Sequence, residues 1–403
     1  MPATSQAFEP TAAPRNAASS PRADRLGDPE TRLGILVCER RGTPPFAESS
    51  YLRRLCLLGE RIGIKPFAFD PASWNPGDGS VKAWNWDSRG NRWTTARRPL
   101  PAAAYDRAWP ESGQERLRFR KALRTLREER RLVLLNGSLP HKAKVFETLA
   151  RDRTFIPYLP PTAPYRGPGS LESWLRKHRL AAFLKPAAGS QGRRVLSVTR
   201  RKDGTTDLIG RDSANRPLRR SFDNGAEALR RLDRWIGSRR YLMQPLLDLR
   251  GPSGEPCDVR ALCQKDRSGR WTVTGIAARI GSPASVTANL HGGGMAVSAR
   301  ETLALHFGKE RGEKLYAQIR ELSLSIADRL EQSFGRFAEF GLDYGIERNG
   351  KLWFLEANSK PGRAAMESVG TDASLAAAEK PLSYAKSILL RPPGRVIHEF
   401  DHL

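Results

Sequence analysis

The strongest constraint on this chain is a hairpin near its C-terminus, Phe340-Gly-Leu-Asp-Tyr-Gly-Ile-Glu-Arg-Asn-Gly-Lys-Leu-Trp-Phe-Leu-Glu-Ala-Asn-Ser359. Asn349 and Gly350 both tolerate the positive φ of a type I′ turn, so the sequence predicts a two-residue turn there. Pairing Arg348 with Lys351 and stepping outward sets Asp343 opposite Glu356. Asn358 lies two residues further along and shares their face. The other face, Leu342, Tyr344, Ile346, Trp353, Leu355 and Ala357, reads as core. Two carboxylates opposed across a strand pair repel each other, and a cation between them reverses the sign. With the Asn358 amide they form a hard, all-oxygen set suited to magnesium, whose remaining positions are ordinarily filled by water and nucleotide phosphates. A solvated hairpin with a polar outer face fits the same pattern.

At 403 residues the chain can build two or three domains with sizeable cores. Charged residues make up 28% and hydrophobic ones 39%, a globular profile, and no apolar run approaches the roughly 20 residues of a membrane span. Residues 1–30, rich in Ala, Pro, Ser and Thr, read as a disordered tail without the apolar stretch of a secretory signal. Glu9, Asp24, Asp28 and Glu30 argue against a transit peptide. Cys38, Cys56, Cys257 and Cys263 show no metal-binding spacing and read as reduced thiols of a cytoplasmic protein. The net charge of +25 is carried mostly by arginine, in pairs spread along the whole chain: 53–54, 97–98, 130–131, 193–194, 200–201, 219–220 and 239–240. Charge so diffuse, without a nucleic-acid motif, predicts no specific nucleic-acid partner.

Folded structure is expected from about Thr31, with a β-α-β rhythm: strand Leu33–Cys38, helix Ser49–Ile62, strand Lys65–Phe69. Val81 to Thr95 reads as a hairpin with Trp84, Trp86 and Trp93 on one face. A second region brings Lys142 and Lys144 on a short helix, then a strand ending in Lys185 before the loop Gly189-Ser190-Gln191-Gly192. Such a loop exposes backbone amides to phosphate oxygens, and the lysine adds a point charge; an ordinary hairpin loop fits as well. Gln244 ends an apolar strand four residues before Asp248, a spacing open to adenine and ribose contacts or to a plain strand end. Asp258 and Arg260 share one strand face, followed by Arg279 and the segment Asn289-Leu-His-Gly-Gly-Gly294, which suits an anion or an acyl phosphate; a structural Asp–Arg pair is the simpler alternative.

In this order the elements resemble the ATP-grasp superfamily, and more closely the spore-coat-associated YheC/YheD family. The resemblance spans residues 31–390 and is most specific in Leu33-Gly-Ile-Leu, Leu159-Pro-Pro-Thr, Cys257–Lys265, Asn289-Leu-His-Gly-Gly and Leu355–Arg363. It implies an α+β and α/β architecture: a tail (1–30), a small parallel N-terminal α/β domain (31–136), two α+β subdomains clasping ATP (137–240 with the Gly-rich loop, 241–395 with the metal site), and a tail (396–403). It also implies Lys142 and Lys185 on the phosphates, Gln244 in the adenine hinge, and Asp343, Glu356 and Asn358 on magnesium or manganese. Arg260, Arg279 and Asn289 would face the transferred phosphoryl group, and Lys360 and Arg363 the acyl-phosphate side. The implied reaction is ATP-dependent joining of a small-molecule or peptide carboxylate to an amine, in the cytoplasm or at the spore, where coat proteins are possible partners. Ligases that extend protein tails with glutamate carry an arginine two residues before that asparagine. Thr287 stands there in this chain. A nucleotide-binding coat protein without turnover is the alternative.

Overall fold

The computed structural model describes residues 31–129, 132–189, 192–281, 288 and 294–390. The two expected tails lie outside the described residues, as do Ser190, Gln191, Thr287 and Asn289.

The chain opens with β1 (Arg32–Leu36), α1 (Ser49–Arg61), β2 (Lys65–Phe69), the hairpin β3 (Ser80–Asp87) and β4 (Arg92–Pro99), β5 (Ala103–Asp106), α2 (Gly113–Glu129) and β6 (Val133–Leu134). These strands form one sheet in the order β4-β3-β2-β1-β5-β6. β2, β1, β5 and β6 are parallel, and the β3–β4 hairpin adds antiparallel strands at one edge. All of β1 is buried, as expected of an apolar strand covered on both faces. The tryptophans of the hairpin serve packing: Trp93 lies edge-on to Phe46 and to Trp86, at 4.9 and 5.3 Å.

A second sheet, ordered β11-β10-β9-β8-β12-β7, is antiparallel. Helix α3 (Lys142–Ala150) precedes it, and it contains β7 (Ala163–Pro164), β8 (Ala181–Pro186), β9 (Leu196–Arg200), β10 (Thr206–Arg211), β11 (Pro217–Phe222) and β12 (Tyr241–Gln244). Helices α4 (Pro168–Lys177) and α5 (Gly225–Ile236) bury Leu171, Leu175, Leu229 and Leu232 against Leu184 and Val198. The expected boundary at 240/241 cuts this sheet, because β12 pairs with β8.

The third sheet runs β15-β14-β13-β16-β17. It comprises β13 (Cys257–Lys265), β14 (Trp271–Ile280), β15 (Met295–Ser298), β16 (Glu339–Ile346) and β17 (Leu352–Asn358), with helices α6 (Ala299–Phe307) and α7 (Lys309–Phe334) between β15 and β16. Ile319, Ile326 and Leu330 of α7 pack on Val259, Leu342, Tyr344 and Phe354. Val145, Phe146 and Leu149 of α3 join this core, so α3 belongs with the third sheet rather than with the second, where the sequence placed it. Helices α8 (Ala364–Glu367) and α9 (Thr371–Leu389) end the described chain. Ala378, Leu382 and Ala385 of α9 return to the first sheet and pack with Leu52 and Leu55 of α1.

Candidate functional site

The β16–β17 hairpin carries two departures from the sequence reading, and they cancel. The turn has three residues, Arg348 to Gly350. Glu347 N–H donates to the Lys351 carbonyl at 3.0 Å, and Gly350 sits at φ 81°, the left-handed position such a turn needs. That shifts the pairing by one near the turn. A bulge between the Asp343/Glu356 and Tyr344/Phe354 pairs, with Leu355 as the extra residue, shifts it back. Asp343 therefore faces Glu356 after all. Between turn and bulge the faces are inverted relative to expectation. Leu352 and Phe354 are buried in the core, whereas Trp353 is partly exposed and its indole donates to Glu347 Oε2 at 2.9 Å.

The carboxylates are surrounded by cations. Lys142 Nζ, at the start of α3, lies 2.6 Å from Glu356 Oε2, and Asn358 Nδ2 donates to Glu356 Oε1 at 3.3 Å. Lys185, at the end of β8, is 5% exposed; it donates to the carbonyl of the bulge residue Leu355 at 3.1 Å and lies 4.9 Å over the Phe146 ring. Burial, reinforced by Lys142, pushes its ammonium down to about 7, against the pull of Glu356 and Asp343. Desolvation opposes ionisation of Glu356, but Lys142 and then Lys185 hold its carboxyl well below the usual carboxylate range. After Lys185 the chain enters the loop to β9, where Gly189 and Gly192 take φ of 137° and 65°, conformations that favour glycine. Lys144 pairs with Glu147 at 3.0 Å on the exposed side of α3, so Lys142 is the lysine that reaches the site.

Asp343, buried at 3% exposure, accepts from both nitrogens of the Arg260 fork, Nη2 at 2.7 Å from Oδ2 and Nε on Oδ1, and Arg279 Nη2 lies 3.1 Å from Oδ2. Arg279 also binds Asp258 Oδ1 through Nε at 2.5 Å. The strand registers dictate this network, since Arg260 pairs with Asp343 and Asp258 with Arg279. Burial disfavours a charged Arg279, yet Asp258 and Asp343 raise its pKa above the ordinary arginine value. Burial pushes the Asp258 carboxyl up, with Arg279 opposing.

The donor chemistry fits magnesium. Two carboxylates and a side-chain amide lie side by side on the hairpin, and the cations on the carboxylates stand where a metal would share their charge. Each Glu356 oxygen and Asp343 Oδ1 has one partner and keeps a second lone pair, whereas Asp343 Oδ2 is engaged by both Arg260 and Arg279. Among the described residues no group of three or more His, Cys, Asp or Glu is arranged to hold a metal.

Other expected positions fall differently. Gln244 is buried and its amide donates to Thr162 Oγ1 at 2.8 Å. Asp248 is not brought to the site; it is exposed and lies 3.4 Å from Arg348 near the hairpin turn. Lys360 and Arg363 turn away from the carboxylates into the first domain. Lys360 Nζ binds Asp106 Oδ1 at 2.7 Å, and Arg363 Nη2 binds Glu339 and the Tyr105 hydroxyl. Sequence reasoning missed this second network. Fully buried Glu339 accepts from Tyr105 at 2.6 Å, Arg107 at 3.2 Å and Gln264 at 3.1 Å, while Arg107 also grips Glu48. No local spacing signals it, because its members are up to some 300 positions apart in the chain.

These elements face a cleft of about 1500 Å³ between the three sheets, with Pro186 to Gly189, Arg260, Arg279, Glu356 and Asn358 in its wall. Two antiparallel lobes with a glycine-rich loop on one and an Asp/Glu/Asn hairpin on the other define an ATP-grasp protein. The chain belongs to the YheC/D-like ATP-grasp family, whose model matches residues 131–388. It is 27% identical over 318 residues to the endospore coat-associated protein YheC of Bacillus subtilis (strain 168), covering 78% of this chain and 86% of that protein. It is 29% identical over 326 residues to YheD of the same organism, covering 79% and 70%. Its fold is similar to that of the D-cycloserine synthetase DcsG, with a TM-score of 0.52 at 14% identity over 88% of this chain and 99% of that one.

Proposed function

We propose that this protein is a magnesium- and ATP-dependent ligase that joins a carboxylate to an amine through an acyl phosphate. The observation that carries this reading is the contact network of Lys142, Lys185, Arg260, Arg279, Asp343, Glu356 and Asn358 on and beside the hairpin, of which Arg260, Arg279, Glu356 and Asn358 line the cleft. Lys142 and Lys185 bind the phosphates, aided by amides of the loop after Ala187, and the Gln244 backbone meets the adenine edge. Asp343, Glu356 and Asn358 hold the magnesium, which when bound neutralises phosphate charge. Arg260 and Arg279, oriented by Asp343 and Asp258, face the group being transferred. One carboxylate oxygen of the acid takes the terminal phosphoryl group and ADP leaves. The amine nitrogen then displaces inorganic phosphate and gives up one proton. Such transfer needs positioning and charge neutralisation more than a protein nucleophile. The substrates are small-molecule or peptide acids and amines, and the setting is the cytoplasm, extended to the spore by the coat association of YheC and YheD.

Glu356→Gln and Lys185→Ala are expected to lower ADP release at least about 100-fold while far-UV circular dichroism stays unchanged. Undiminished turnover in both variants overturns the site. One observation favours a silent nucleotide-binding coat protein instead: both oxygens of Asp343 are engaged by guanidinium groups. Mg-ATP binding by wild type without ADP release across a panel of acids and amines would support that second reading.

A further inference from the structure

The arginine pairs that look scattered in the sequence are gathered by the fold. Arg193 and Arg194 follow the glycine-rich loop, Arg239 and Arg240 precede β12, and all four line the same cleft. They are neighbours because β12 pairs with β8 and the Arg240 carbonyl accepts from Ala187 N–H at 2.9 Å. Arg116 adds a fifth guanidinium from the first domain. No carboxylate among the described residues lies within ion-pair distance of these five, whereas Arg260, Arg279 and Lys360 in the same wall are each paired. In total nine arginine and lysine residues line the cleft against three glutamates. The indole N–H of Trp109, also in the wall, has no acceptor among the described residues.

Size points the same way. At about 1500 Å³ the cleft exceeds the roughly 300–1,000 Å³ of ordinary small-ligand pockets. Lys142 and Lys185 already serve the nucleotide end, so a magnesium-neutralised nucleotide would leave the five arginines unused.

We propose that the cleft takes, beside the nucleotide, an acidic polypeptide segment whose aspartate or glutamate side chains are the carboxylates to be activated. The role as substrate rests on the ligase reading above; the binding surface does not. Guanidinium groups recognise carboxylates through paired hydrogen bonds. A nucleic acid would satisfy the charge but bring no carboxylate to the reaction.

The test is fluorescence anisotropy of a labelled deca-glutamate peptide, with ADP binding measured by calorimetry on the same samples. Arg193→Glu/Arg240→Glu is expected to weaken peptide binding about tenfold or more relative to wild type. Arg219→Glu/Arg220→Glu, an exposed pair on β11 outside the cleft lining, is expected to change it less than about twofold. Equal weakening by both pairs would mean that diffuse charge alone binds the peptide, and overturns the proposal. Displacement of the peptide by unlabelled oligothymidylate of ten nucleotides at equal or lower concentration also overturns it, in favour of a nucleic acid. Absence of peptide binding with intact ADP binding removes the peptide site and leaves the ligase reading standing. Cleft-dependent peptide binding by a wild type that binds no ADP keeps the surface and removes the ligase.

Discussion

At the scale of single residues, burial of Lys185 sets its proposed role in opposition to fold stability. An unfolded lysine titrates near 10.5, whereas burial sets this one at about 7. Between those values the unfolded chain holds more protons than the folded one, so this group makes stability rise with pH. Below pH 7 both states are charged and the penalty is complete. Lys185→Met is therefore expected to unfold at higher denaturant than wild type at pH 6, by about 2 kcal/mol after the lost bond to the Leu355 carbonyl. The gap should close toward pH 10, and a difference that stays flat from pH 6 to 10 contradicts the assignment. If Lys185 binds the nucleotide as proposed, it is kept at the expense of fold stability, a familiar trade.

Among elements, the β16–β17 hairpin shows what can and cannot be read from a sequence. The regular elements were legible because their apolar spacing is local: β2 occupies Lys65–Phe69 as expected, and α7 begins two residues ahead of the expected Arg311. The Asp343–Glu356 pairing follows from the sequence only with a turn one residue shorter than the real one and without the bulge. Neither shows in the pattern, because Leu355 is as apolar as Phe354 and no glycine or proline marks the bulge. Trp353 and Phe354 consequently exchange faces. The same strand pair packs tightly at Gly341, where a Cβ would meet Pro361 Cβ at 2.7 Å and Arg260 Nη1 at 3.2 Å. Gly341→Ala should cost about 1–3 kcal/mol in urea unfolding by displacing the segment after β17. Gly362→Ala, with nothing within 4 Å, should stay within about 0.5 kcal/mol. Equal effects would mean that this close approach does not constrain the site.

Across the whole molecule, Glu339 joins the first domain to the third sheet through Tyr105, Arg107, Gln264 and Arg363. Glu339→Gln removes one charge from a fully buried cluster and should cost about 3–5 kcal/mol. Glu310→Gln, which breaks the exposed Lys314 pair, should cost under about 0.5 kcal/mol. Comparable unfolding midpoints for the two would show that the buried cluster does not couple the lobes. This network escaped sequence reading because each contact depends on the finished packing. Helix α9 carries that dependence into the making of the protein. About 250 residues separate Leu135 from Ala385 in the first core, so at about 5–20 residues per second a ribosome needs roughly 12–50 s to supply the partner of α1. Until then Leu52 and Leu55 of the nascent chain lack their native cover. This domain is thus started before the other two sheets and completed after them, and its birth falls within reach of chaperones that hold exposed apolar surface.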